Sequence, residues 1–230
     1  MTQRIGAWAA LGEPRSTAAL TTAGFDWVAL DAQHGHHDDR SVRESLALRP
    51  EGASLVLVRV LAADPAHVGR ALDAGADGVI VPLVQDEDDA RAMVQAAHHP
   101  PVGRRSFGPI AGVRYPEQPM VAVMVETASA LERLEQIAAT PDLDMIFVGP
   151  FDLSLALGLD VEELVGDESP DSPLGRVLAA CERAGILAGA YGGNPQRAAR
   201  LLARGFSWVS ITTDNDLPGL GAQAARARLG

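Results

Sequence analysis

Six polar side chains stand at or just beyond the ends of apolar runs in this chain: Asp31, His34, Arg59, Gln85, Glu126 and Asp152. Glu126 directly follows the run Val121–Val125, and Asp152 comes shortly after Met145–Val148. Two carboxylates delivered by neighbouring strands offer hard oxygen donors and leave further positions to water and a ligand, which suits Mg²⁺ or Mn²⁺. Each could instead cap a helix amino terminus, a common use of acidic side chains. Arg59 closes the run Val56-Leu57-Val58. A guanidinium there needs a partner: a substrate carboxylate, a developing enolate oxygen, or a buried acid. His34 lies three residues after Asp31, close enough for a carboxylate to orient an imidazole for general acid–base work. His36 and His37 precede Asp38-Asp39-Arg40 and read as surface residues. The loop Gly103-Arg104-Arg105-Ser106-Phe107-Gly108 offers two guanidinium groups, either to an anionic substrate end or to acids at a subunit contact.

The elements that would position these groups alternate. Apolar strand candidates are Ile5–Leu11, Trp27–Asp31, Ser54–Val60, Gly78–Val84, Val121–Val125, Met145–Val148, Leu187–Tyr191 and Trp208–Thr212. Between them, apolar residues recur at helical spacing: Ala90, Met93, Val94 and Ala97; Leu131, Leu134 and Ala138; Ala198, Leu201 and Leu202. Asp64-Pro65 and Asn194-Pro195 place a capping side chain before a proline at a first helical position. Gly24, Gly75, Gly185 and Gly205 each sit between a helix and a strand, where a left-handed cap is expected. Strands rich in Val, Ile and Leu on both faces read as parallel and buried. Eight of them in 230 residues predict one (β/α)₈ barrel over 1–230, whose active site collects at the carboxyl ends of the strands. An open doubly wound sheet is the other arrangement compatible with the pattern. The stretch from His99 to Pro119 reads as one long loop of the functional kind.

Composition removes whole classes of chemistry. All 19 basic residues are arginine. Without lysine there is no Schiff-base aldol chemistry, no covalent pyridoxal phosphate (PLP) and no Walker-type phosphate loop. A formal net charge of −11 argues against nucleic acid as a partner. Cys181 is the single cysteine and lies in an alanine-rich stretch, so it reads as a buried, inert thiol. No apolar stretch approaches the roughly 20 residues that cross a bilayer, and no leader-like segment opens the sequence, so the chain reads as cytoplasmic without a membrane partner.

Several segments, taken in order, resemble the HpcH/HpaI family of metal-dependent class II pyruvate aldolases: Gly24-Phe25-Asp26-Trp27, Asp31-Ala32-Gln33-His34-Gly35, Val81-Pro82-Leu83-Val84-Gln85, Val125-Glu126-Thr127 and Gly149-Pro150-Phe151-Asp152-Leu153-Ser154. The resemblance implies a pyruvate-type barrel that makes or breaks 4-hydroxy-2-oxo acids, with a keto acid and an aldehyde as small-molecule partners. It implies Glu126 and Asp152 as ligands of Mg²⁺ or Mn²⁺, with Co²⁺ as a further possibility. His34 would be the acid–base group, Asp31 its partner and Arg59 the stabiliser of the enolate. Phe151, Asp152, Gln85 and Met124 would contact substrate. Asp73, on an outer helix, would serve the site of a neighbouring subunit, which implies a homo-oligomer (a trimer or hexamer) on which the carboxyl-terminal helix could also pack. Two residues depart from the family pattern. Gln33 stands where a glutamate is usual, and Met124 where an amide is usual, removing a carboxylate and a hydrogen-bonding group.

The same site would also suit oxaloacetate decarboxylation or citrate-lyase-like thioester cleavage. A metal-dependent barrel hydrolase is suggested by His34-Gly35-His36, but such enzymes need further histidines on later strands and none follows His99. A non-catalytic barrel would bind no metal at Glu126 and Asp152.

Overall fold

A computed structural model describes residues 2–108 and 116–229. Its strands are β1 (Arg4–Ala9), β2 (Trp27–Asp31), β3 (Leu55–Arg59), β4 (Gly78–Val81), β5 (Met120–Val125), β6 (Met145–Val148), β7 (Leu187–Tyr191) and β8 (Trp208–Thr213). Each runs parallel to its sequence neighbour, and β8 pairs with β1 to close the barrel. The expected barrel is therefore observed and the open sheet is not. Around it lie α1 (Pro14–Leu20), α2 (Asp39–Ala47), α3 (Pro65–Asp73), α4 (Glu87–Ala97), α5 (Ala128–Glu132), α6 (Leu134–Ala138), α7 (Pro150–Leu157), α8 (Val161–Gly166), α9 (Pro173–Ala184), α10 (Pro195–Arg204) and α11 (Leu217–Ala227). Asp64 caps α3 and Asn194 caps α10 through their side chains, each followed by proline. Among the described residues no helix is long and apolar enough to cross a membrane.

Strand residues alternate between two cores. Outward-facing Val28, Val56, Val79, Val123 and Ile146 pack beneath the helices. Inward-facing Trp8, Trp27, Phe147 and Trp208, with Met124 and Met145, fill the barrel itself. Trp27 is the hub: its ring lies 6.0 Å from Phe147 and 5.7 Å from Trp208. Gly6 makes room for it, since a Cβ there would fall 2.1 Å from the Trp27 indole.

The lower rim follows one rule four times. Asp26, Asp77 and Asp144, each just before an even-numbered strand, accept a hydrogen bond from the backbone N–H of Ile5, Val56 and Val121 on the preceding odd strand. Their own carbonyls accept from Leu55, Met120 and Leu187, which open the next odd strand. Ser207 repeats the pattern before β8: its hydroxyl donates to the Ala188 carbonyl, and its own carbonyl accepts from Arg4. The repeated helix-to-strand phrases of the sequence are thus the joints of a ring.

Three local expectations need correction. β4 stops at Val81 rather than Val84, because Pro82 has no N–H to donate and Leu83 turns into the left-handed region at φ 59°. Leu131, Leu134 and Ala138 do not share one helix: α5 and α6 are separate five-residue helices that meet at Arg133. Of the long loop, residues 109–115 lie outside the described residues. The preceding part is tied to α4, with Arg104 N–H donating to Gln95 O and Arg105 N–H to His98 O. His37 is not a surface residue: it is 5% exposed, its Nδ1 meets the Ser41 hydroxyl at 3.3 Å, and burial pushes its pKa down. Cys181 is buried as expected, and burial pushes its thiol up to about 12.

Candidate active site

At the carboxyl ends of the strands a cavity of about 330 Å³ is lined by Trp8, Asp31, His34, Arg59, Met124, Gly149, Phe151, Asp152 and Tyr191, with Thr213 and Asn215. A larger groove of about 920 Å³ lies between α2 and α3, on the outside of the barrel. Catalytic groups belong at the strand ends, where a rigid scaffold aims side chains from several strands at one point.

Asp31 and Arg59 end adjacent strands in register and form a two-bond fork: Arg59 Nε donates to Oδ1 at 2.9 Å and Nη2 to Oδ2 at 2.6 Å. Trp8 Nε1 donates to Oδ2, and the Arg59 guanidinium lies 5.2 Å from the Trp8 ring centre. Oδ1 also accepts from the backbone N–H groups of Gln33 and His34. Both oxygens are therefore occupied. Asp31 fixes the backbone of His34, not its imidazole, and that corrects the expected pairing. Burial pushes the Asp31 carboxyl up, but the Arg59 bonds and charge, the His34 N–H and Trp8 together hold it below the usual carboxylate range. Arg59 has the buried acid partner its position demanded, yet Nη1 has no protein partner among the described residues. His34 is exposed at the cavity edge.

Glu126 and Asp152 are not helix caps. Thr127 caps α5 through its hydroxyl, and α7 has no side-chain cap. Glu126 is 2% exposed, and its Oε1 accepts the Leu83 N–H at 2.7 Å. That bond explains why Leu83 adopts a costly left-handed backbone: the turn after β4 aims an amide at the carboxylate. Glu126 Oε2 accepts no hydrogen bond from the described residues and lies against Gly149, where a Cβ would fall 2.7 Å from it. Burial pushes the Glu126 carboxyl above its ordinary range; the Leu83 amide opposes this, and the nearby charge of Asp152 adds to it. Two like charges brought together, one of them buried, are relieved by a cation between them. Among the described residues no group of three or more His, Cys, Asp or Glu converges on one point. A divalent ion would thus keep open positions for substrate and water, which fits the donor set.

The remaining expected residues are divided. Met124 and Phe151 line the cavity. Gln85 does not: its amide donates to Leu83 O and accepts from the Thr127 hydroxyl, so it braces the β4 and β5 ends. Asp73 lies on the outer layer and pairs with Arg105 Nη2 at 2.6 Å, which also commits that arginine within its own protomer. Trp8, Tyr191 and Asn215 were not among the expected site residues. The signal for Tyr191 was present, since it ends its strand as Arg59 does.

Residues 4–217 match the HpcH/HpaI aldolase/citrate lyase family. The chain belongs to that family. It is a carbon–carbon lyase of the aldolase type. This HpcH/HpaI protein is 31% identical to the 2-dehydro-3,6-dideoxy-6-sulfogluconate aldolase of Pseudomonas putida, over 91% of the chain and 86% of that protein. It is 35% identical to the 4-hydroxy-2-oxovalerate aldolase of Rhodococcus jostii, over 98% of the chain and 91% of that protein. A solved HpcH/HpaI family structure from Burkholderia cenocepacia superposes with a TM-score of 0.84 at 31% identity, covering 99% of this chain and 95% of that one.

Proposed function

We propose that this HpcH/HpaI lyase cleaves and forms 4-hydroxy-2-oxo acids through a pyruvate enolate and an aldehyde. The observation that carries the reading is the buried Glu126: its Oε2, unpartnered among the described residues, lies directly behind Gly149 of the cavity wall that also carries Asp152, Arg59 and His34. Glu126 and Asp152 would hold a divalent cation such as Mg²⁺ or Mn²⁺, which when bound supplies Lewis acidity toward the oxygens of the keto acid. In the cleavage direction His34 takes the proton of the C4 hydroxyl. The C3–C4 bond then breaks, its electron pair passes into the pyruvate enolate, and the aldehyde leaves. Arg59, held rigid by Asp31, presents Nη1 to the developing oxyanion. Protonation of C3 completes pyruvate. An α11 that buries no residue against its own barrel supports a homo-oligomer.

Exchange of pyruvate methyl protons for deuterium, followed by NMR, reads the enolate without an aldehyde. The metal-loaded protein should catalyse it, exhaustive chelation should abolish it, and Mg²⁺ or Mn²⁺ should restore it. Activity that survives metal removal would overturn the reading. Gly149→Ala should weaken Mn²⁺ affinity about tenfold or more, since its Cβ displaces Glu126 Oε2 and the Met124 methyl. Calorimetric titration with unchanged affinity would show that Glu126 is not a ligand.

A further inference from the structure

Tyr191 is the last residue of β7 and belongs to the cavity wall opposite in character to the charged rim. Its ring meets Trp8 edge-on at 5.1 Å between centres and lies 6.1 Å from Phe151. A Cβ at Gly193 would fall 2.9 Å from its ring, so the turn after β7 closes a third side. Phe151 is itself held, with the Arg197 guanidinium 4.8 Å from its ring centre; that arginine is buried and bonded to Gly192 O and Glu162. The phenol is thus clamped by packing, while its hydroxyl makes no hydrogen bond with the described residues.

Of the remaining polar groups of the cavity, Arg59 and His34 are given to the keto acid and to proton transfer. Asp31 is saturated, the Thr213 hydroxyl donates to Asp216, and Asn215 is exposed to water. The charged end of a keto acid is drawn to Arg59 and the Glu126–Asp152 pair. A neutral, fixed donor beside Phe151 suits the neutral half of the reaction. We propose that Tyr191 determines aldehyde specificity: its hydroxyl hydrogen-bonds an oxygen on the carbon next to the aldehyde group, selecting short hydroxyaldehydes over alkyl aldehydes of equal length. A site built around such a bond rejects the analogue that leaves the donor unpaired. The inference rests on the aldolase reading above.

The test uses the metal-loaded enzyme with pyruvate and two aldehydes of similar size, glycolaldehyde and propionaldehyde. Wild type should prefer glycolaldehyde in kcat/KM. Tyr191→Phe should lose about tenfold on glycolaldehyde and stay within about twofold on propionaldehyde, with pyruvate deuterium exchange unchanged. Equal losses on both aldehydes, or no loss on either, would overturn the Tyr191 assignment alone. Absence of pyruvate exchange in the wild type would overturn the aldolase reading and this inference with it.

Discussion

Replacing Glu126 with glutamine should lower kcat/KM by about a thousandfold or more while leaving the protein at least as stable as before. The two effects separate because the carboxylate is costly to the fold. Burial and the charge of Asp152 raise its pKa, so the folded state disfavours the ionised form. A raised carboxyl withdraws stability as pH climbs from the ordinary carboxylate range through the folded value, a loss the metal-free protein bears. Glutamine keeps an oxygen for the Leu83 N–H and removes the charge, so a change of between zero and about +1 kcal/mol is expected. Denaturant unfolding without metal, beside steady-state rates with it, would measure both. A variant that kept its rate would remove Glu126 from the chemistry.

Asp31→Asn should act in the opposite sense, damaging fold and function together. It leaves the nearly buried Arg59 guanidinium without its counter-charge, a change that costs about 3–5 kcal/mol. For a chain of this size that lowers Tm by roughly 10 °C. Arg59→Met combined with Asp31→Asn should recover much of the stability and none of the activity, because the orphaned charge is then gone. The carboxyl is held low in the folded protein. Its contribution is therefore complete above the usual aspartate range and is lost as pH falls toward the depressed folded value. The variant should accordingly show a flatter acid limb of stability. A Tm equal to that of the wild type would mean that the fork contributes nothing.

The barrel was legible because parallel strands buried on both faces must be written as runs of Val, Ile and Leu, and their punctuation by capping residues is local chemistry. Strand ends were less so: Pro82 ends β4, but only the reach of Leu83 toward Glu126 explains the turn that follows. The site was legible as a set of residue types on successive strand ends. How they pair was not. Spacing put Asp31 near His34, and the backbone of that turn did form as Asp side chains favour, with its N–H groups bonded to the carboxylate. The rest of the carboxylate went to Arg59 and Trp8, on the two strands that flank its own, which no local spacing encodes. Tyr191 escaped notice for a related reason: a tyrosine closing a buried strand reads as core until the cavity beside it is seen.

The ring of joints beneath the barrel has a mechanical consequence. Each of Asp26, Asp77, Asp144 and Ser207 holds both strands that flank its own, so it behaves as a keystone whose removal slackens two seams at once. Three keystones add a carboxylate to their backbone bonds, and the fourth, Ser207, adds a hydroxyl at 3.3 Å to backbone bonds of 2.9 Å to Ala188 and 2.7 Å from Arg4. The side-chain share of the clamp is therefore smallest where β7 meets β8. The wall that carries Tyr191 stands on the seam braced most by backbone alone.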